Sequence, residues 1–183
     1  MHVIQKLAAS LSLASVCVAA TAAGNLVIDP LASSVNPGNA FSLKVLGTAF
    51  SDVVVGGGFN LSFNSSLLRL DSVQINVMLW EFAPSSGTIN NVAGTLSDAY
   101  FNTFNNSPTG NFEAATLNFT AKAPGSAAVT LSSSASFPFA SSAAEVITVT
   151  FGSGQVAVVP EPATVVTMLL GLGLLALARA RHF

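Results

Sequence analysis

In the run Phe59-Asn60-Leu61-Ser62-Phe63-Asn64, large apolar and small polar residues take strictly alternate positions. A chain with that period can place one set on a buried face and the other on a wet face only as an extended strand, because a helix would scatter both sets around its circumference. The alternation recurs at Phe41, Leu43 and Val45, at Ala115, Leu117 and Phe119, and at Ala127, Val129 and Leu131. Further strand candidates are residues 26–28, 68–77, 146–151 and 155–159, and no comparable stretch has helical spacing. Turn-forming residues fall between the runs: Asn36-Pro37-Gly38-Asn39, Gly56-Gly57-Gly58, Asn64-Ser65-Ser66, Pro84-Ser85-Ser86-Gly87, Ser107-Pro108-Thr109-Gly110 and Ala123-Pro124-Gly125. About nine short strands separated by tight turns predict an all-β chain folded as an antiparallel β-sandwich.

The two ends read differently. Residues 1–6 carry one cation, residues 7–20 are apolar and uncharged, and Thr21-Ala22-Ala23 supplies the small residues that a signal peptidase requires. Residues 1–23 therefore predict a secretory signal peptide, cleaved after Ala22 or Ala23. The single cysteine, Cys17, follows Val16 where a lipoprotein signal needs a small residue, which argues against lipidation. At the other end, Pro160-Glu161-Pro162 precedes the uncharged, Leu- and Gly-rich run 163–178, and Arg179 and Arg181 follow. The run predicts a transmembrane helix of about 24 Å, short for a permanent anchor, with the arginines as a cytoplasmic stop. The domain at 24–158 then lies outside, where the signal peptide delivers it. Two prolines around Glu161 deny the backbone helix and ladder hydrogen bonds, keeping that site extended.

Subtracting the ends removes most of the chemistry. Both histidines, His2 and His182, and Cys17 lie in them. Acyl-transfer and thiol catalysis lack a base or nucleophile in the interior, and a zinc site lacks its usual ligands. No Asp-x-Asp-x-Asp-Gly spacing suggests calcium. The interior cations Lys44, Arg69 and Lys122 face seven acids, Asp29, Asp52, Asp71, Asp98, Glu81, Glu113 and Glu145, so there is no basic stripe for nucleic acid. Glycoside hydrolysis by paired carboxylates such as Glu81, Asp98 or Glu113 has no motif behind it, and solvated surface acids are the simpler reading. Asp29 and Asp71 suit turns or strand ends. No catalytic residue, metal or cofactor is expected, and the chain reads as non-enzymatic.

Aromatic residues gather between Met78 and Asn106, in the stretch with least periodicity: Trp80, Phe82, Tyr100, Phe101 and Phe104. Trp80, Tyr100 and Phe101 are candidates for an exposed ligand platform that stacks on sugar rings or makes a protein contact. The competing reading, that these rings close one end of the core, suits a small sandwich with open edges better. The triple glycine at 56–58 is read as a bulge or flexible turn.

Two resemblances follow from these residues. The order Val159-Pro160-Glu161-Pro162-Ala163-Thr164, then Leu170-Gly171-Leu172-Gly173-Leu174-Leu175, then Arg179 and Arg181 resembles the PEP-CTERM sorting signal over 159–183. That resemblance implies recognition of Pro160, Glu161 and Pro162 by an exosortase, a membrane transpeptidase, with transient membrane anchoring before the tail is removed; an ordinary tail anchor is the alternative. The turn at Asn36-Pro37-Gly38, the strand at 41–46, the segment from Gly58 through Phe63 to Leu67-Leu68, and 115–121 before Pro124-Gly125 resemble a cohesin-type domain over 26–158. This implies a jelly-roll sandwich related to carbohydrate-binding modules. The family's usual Asp is Asn64 here, and no binding residue is carried over. The expected function is an exported surface or extracellular-matrix protein. Its partner would be exopolysaccharide, through a carbohydrate-binding module, or another surface protein, through a docking module.

Overall fold

The computed structural model describes residues 23–160 and, beyond them, Thr167, Met168, Leu170, Leu172 and Arg179. The predicted signal segment and most of the run 163–178 lie outside the described residues, as do Glu161, Pro162 and Arg181. Among the described residues no helix is long and apolar enough to cross a membrane.

Among the described residues twelve strands form two packed sheets: β1 (Gly24–Asp29), β2 (Ala32–Val35), β3 (Ala40–Phe50), β4 (Val54–Phe63), β5 (Leu68–Ile75), β6 (Thr88–Asn90), β7 (Thr95–Asn102), β8 (Gly110–Ala121), β9 (Gly125–Ser133), β10 (Ala140–Ser141), β11 (Val149–Phe151) and β12 (Ser153–Val158). The first sheet has the order β11-β1-β3-β8-β5, and the second β2-β12-β9-β4-β7-β6 with β10 on β4. The alternating residues do what their period predicts: Phe59, Leu61, Phe63, Leu43, Val45, Leu117, Phe119, Val129 and Leu131 are all buried between the sheets. The fold is an all-β sandwich.

Four expectations are corrected. Twelve strands stand among the described residues where about nine were predicted: β2, β6 and β10 are two to four residues long and owe their conformation to a neighbouring backbone rather than to their own pattern, and β7 lies in the stretch without periodicity. The sandwich is not wholly antiparallel, since β1 pairs with β11 and β2 with β12 in parallel. The segment 146–151 is strand only from Val149. The triple glycine is neither turn nor bulge but the middle of β4, in register with residues 100–102 of β7. Its glycines are needed for close approach: a Cβ on Gly57 would stand 2.6 Å from the Phe139 ring, and one on Gly58 2.7 Å from Cβ of Phe137.

The stretch without periodicity contains β7, an interior strand of its sheet. Asp98 explains why it was hidden. It sits at φ 55° in a bulge that sets the four residues Leu96 to Ala99 of β7 against the three residues Leu61 to Phe59 of β4. The extra residue resets the alternation, so Leu96, Ala99 and Phe101 all point inward although they are not evenly spaced. Asn60 Oδ1 accepts the Asp98 N–H at 2.7 Å, and the Ser134 hydroxyl donates to the Asp98 carboxylate at 2.6 Å.

The strand directions define two poles. At one lie the turn Asn36–Asn39, the end of β8 and the end of β12; at the other lie Ala23, the ends of β3, β5 and β7, and the start of β8. The twelve residues of β8 separate them by about 40 Å at roughly 3.3 Å per residue.

Candidate functional site

The aromatic cluster is split by the fold. Trp80 and Phe101 are fully buried, with ring centroids 4.4 Å apart, and Trp80 packs edge-on against Phe112 at 5.2 Å. The indole N–H of Trp80 donates to the Glu113 carbonyl at 3.0 Å, so its polar atom is satisfied inside. Neither ring can serve as an exposed platform, which corrects that candidate reading of Trp80 and Phe101: as in the competing reading, they close the core, at the pole of Ala23, with Phe50 and Phe139 completing the layer. Tyr100 points the other way, half-buried on the outer face of the second sheet, where it stacks on Phe137 at 4.0 Å.

Phe82 and Phe104 remain exposed and touch each other, with centroids 4.3 Å apart. Glu81 holds them. One carboxylate oxygen accepts the N–H groups of Phe104 and Asn105 at 3.0 and 3.1 Å and the side-chain amide of Asn105 at 3.2 Å. The Thr103 side chain, the largest influence, and the Phe104 N–H lower the Glu81 pKa to about 2, since each stabilises the ionised form. Sequence alone gave no sign that this acid is a loop clamp.

The acids weighed for hydrolysis are dispersed. Glu81 is tied into this loop, Asp98 into the β7 bulge, and Glu113 on β8 of the other sheet accepts from Lys44 at 2.7 Å and Thr116 at 3.1 Å. That hydrogen bond and the Glu113 charge raise the Lys44 pKa. Among the described residues no group of three or more His, Cys, Asp or Glu stands together to hold a metal ion. Asp29 ends β1, while Asp71 lies within β5 beside its register shift, bound by Arg69 and Thr120 at 2.6 Å each.

The outer faces differ chemically. Across β3, β8 and β5 the polar side chains satisfy one another: beside the Lys44–Glu113 and Arg69–Asp71 pairs, Ser42 donates to Asn118, which donates to Ser72. The second sheet presents Ser62, Ser97, Ser126, Ala128, Thr130 and Ser132, all exposed, with Asp98 bound to Ser134. Two clefts lie beyond its Tyr100–Phe137 stack. One of about 270 Å³ is walled by Phe137, Phe139, Val149 and Phe151, and one of about 280 Å³ by Ser51, Asp52, Ser141, Ser142 and Glu145; they share Val146 and Ile147.

At the opposite pole the ladder ends beside the sorting motif. The Val159 N–H donates to the Val35 carbonyl at 2.9 Å, and Pro160, exposed and without an N–H, stops the strand.

Comparison with known proteins agrees with both halves of this picture. Residues 158–181 match the PEP-CTERM protein-sorting motif. No curated protein matches the sequence. Among solved structures, the cohesin module of a family 33 glycoside hydrolase from Clostridium perfringens is similar with a TM-score of 0.63 at 15% identity, over 77% of this chain and 100% of that one. CaCohA2 from Clostridium acetobutylicum gives 0.60 at 18%, over 75% and 93%. A structure of the type I cohesin–dockerin complex Coh-OlpA-Doc918 from Clostridium thermocellum gives 0.59 at 12%, over 74% and 99%. The chain thus joins a PEP-CTERM sorting motif to a sandwich with the fold of cohesin modules.

Proposed function

We propose that this is a non-enzymatic exported surface protein, held at the membrane by its PEP-CTERM tail until exosortase processing, whose sandwich docks another surface protein. The observation that carries the reading is the junction at residue 158, where the motif match begins on the last residue of β12. A sorting signal fused to a folded strand, with no linker between, makes the sandwich the cargo. Three features support docking over sugar binding. The aromatic platform is lost to the core with Trp80 and Phe101, one of the similar cohesins stands in a complex with a dockerin, and the second sheet offers a broad face whose charge is confined to Asp98. Charge depletion is characteristic of the centre of protein interfaces. The absence of His and Cys between residues 24 and 159 and the dispersal of the acids support the non-enzymatic part.

Ala23 favours one of the two cleavage points. Its N–H donates to the Thr148 carbonyl at 2.8 Å and its carbonyl accepts the Ser51 N–H at 3.0 Å, so cleavage after Ala22 keeps these bonds in the mature domain. The test is the intact mass of the native protein, together with its fractionation, in cells with and without exosortase activity. The expected species begins at Ala23 and ends near Pro160 to Pro162 only where the activity is present. A species retaining Arg181, His182 and Phe183 in both strains would make the chain a plain tail-anchored ectodomain.

A further inference from the structure

Of the eight large apolar residues exposed between residues 23 and 160, five lie at the pole opposite the tail: Val77, Met78, Phe82, Phe104 and Val146. They sit on loops fastened to one another. The Phe82 N–H donates to the Asn102 carbonyl at 3.1 Å, Val54 to Pro108 at 2.9 Å, and Ser142 to Val53 at 3.2 Å, while Glu81 clamps Phe104 and Asn105. Beneath them the packed rings of Trp80, Phe101, Phe112, Phe50 and Phe139 give a rigid floor. Such a concentration of exposed apolar surface on a preorganised end marks an interaction site.

Apart from the α-ammonium that cleavage after Ala22 would leave on Ala23, the side-chain charge of this pole has one sign. Asp52 and Glu145 line the polar cleft beside the apolar one, both are exposed, and among the described residues neither is in an ion pair. The described cations Lys44, Arg69, Lys122 and Arg179 all lie off these loops. We propose that this pole docks a polypeptide segment bearing large apolar side chains next to Lys or Arg: the apolar residues fill the cleft at Phe137, Phe139 and Phe151 and cover the Phe82–Phe104 pair, and the cations meet Asp52 and Glu145. Anionic lipid would be repelled by the same two acids. A sugar ring would find no flat platform, because Phe82 and Phe104 are tilted 52° to each other. The proposal rests on the docking reading above, extends the contact from the charge-poor face of the second sheet to this pole, and names the partner's chemistry; because it is measured as binding, its outcome is independent of whether the tail is cleaved.

The test uses the full chain in phosphatidylcholine nanodiscs, with empty nanodiscs subtracted, and the fluorescence anisotropy of two dye-labelled amphipathic peptides, one of Leu and Lys and one of Leu and Glu. The Leu/Lys peptide is expected to bind and the Leu/Glu peptide not. The pair Phe82→Ser and Phe104→Ser should weaken binding by about tenfold or more, and the pair Asp52→Asn and Glu145→Gln should weaken it and flatten its dependence on salt. All four side chains are exposed or cleft-lining, so an unchanged unfolding midpoint shows that the variants fold. Equal binding of both peptides, indifference to both variant pairs, or occupation of the pole by a second copy of the chain or by phosphatidylglycerol vesicles instead would overturn the proposal.

Discussion

Trp80 and Glu81 are neighbours with opposite fates, and each carries a measurable consequence. Trp80 spends its whole side chain on the core and its N–H on the Glu113 carbonyl. Trp80→Ala should therefore cost about 3–5 kcal/mol in denaturant unfolding, as large-to-small changes of buried aromatics do, while Trp80→Phe should cost clearly less. A loss near zero for Trp80→Ala would return the residue to the surface. Glu81 acts through its charge. Its pKa is lowered from the ordinary 4.5 to about 2, so its hold on the loop is complete above about pH 4.5 and is lost as the pH falls through about 2. Amide resonances of Phe104 and Asn105 should shift in that window and stay flat across it in Glu81→Gln; a midpoint near 4.5 in the native chain would show that the clamp is not formed.

At the scale of elements, the sheets depend on side chains that imitate strands. β5 is an edge strand, and its exposed ladder is covered by Asn91, whose amide accepts the Leu70 N–H and donates to the Leu70 carbonyl, both at 2.9 Å; Ser86 caps the Val73 carbonyl at 2.8 Å. Covering an edge this way blocks pairing with other chains. Asn91→Ala should destabilise the domain by about 1–2 kcal/mol, at roughly 1 kcal/mol per hydrogen bond, and hydrogen exchange at the Leu70 amide should accelerate more than at its neighbours. Unchanged exchange there would mean that the edge is protected by something else. The same kind of long-range help explains the elements that pattern alone missed. β2 and β6 have no alternation long enough to read, and β7 loses its alternation at the Asp98 bulge, which is fixed by Asn60 and Ser134 from other strands.

For the whole molecule, the decisive feature is where the chain enters and leaves. β1 and β2 stand in different sheets and each is joined in parallel by a strand from the far end of the chain, β11 or β12. Ala23 consequently lies at one pole and Pro160 at the other, about 40 Å apart along the strands. The mass expected for the mature protein belongs to this scale, since both proposed cuts lie next to the first and last strands of the sandwich, β1 and β12. So does the docking proposal, because a tail held at the membrane, as proposed, would set one pole toward it and present the other outward.

By itself the sequence determined the class of fold, the buried faces of the long strands, the resemblance to cohesin modules and the sorting motif. Each is a local matter: alternation fixes which side of a strand is apolar, turn residues fix where strands end, and Pro160, Glu161 and Pro162 are contiguous. Only the tertiary structure decided the rest. Trp80, Phe82, Tyr100, Phe101 and Phe104 have the same appetite for burial, and which of them are hidden depends on the bulge in β7 and the rings that meet there from β3, β8 and the loop at Phe139. Parallel pairing between the two ends of the chain, and hence the separation of its poles, is set by contacts across more than a hundred residues, where no local pattern can report it.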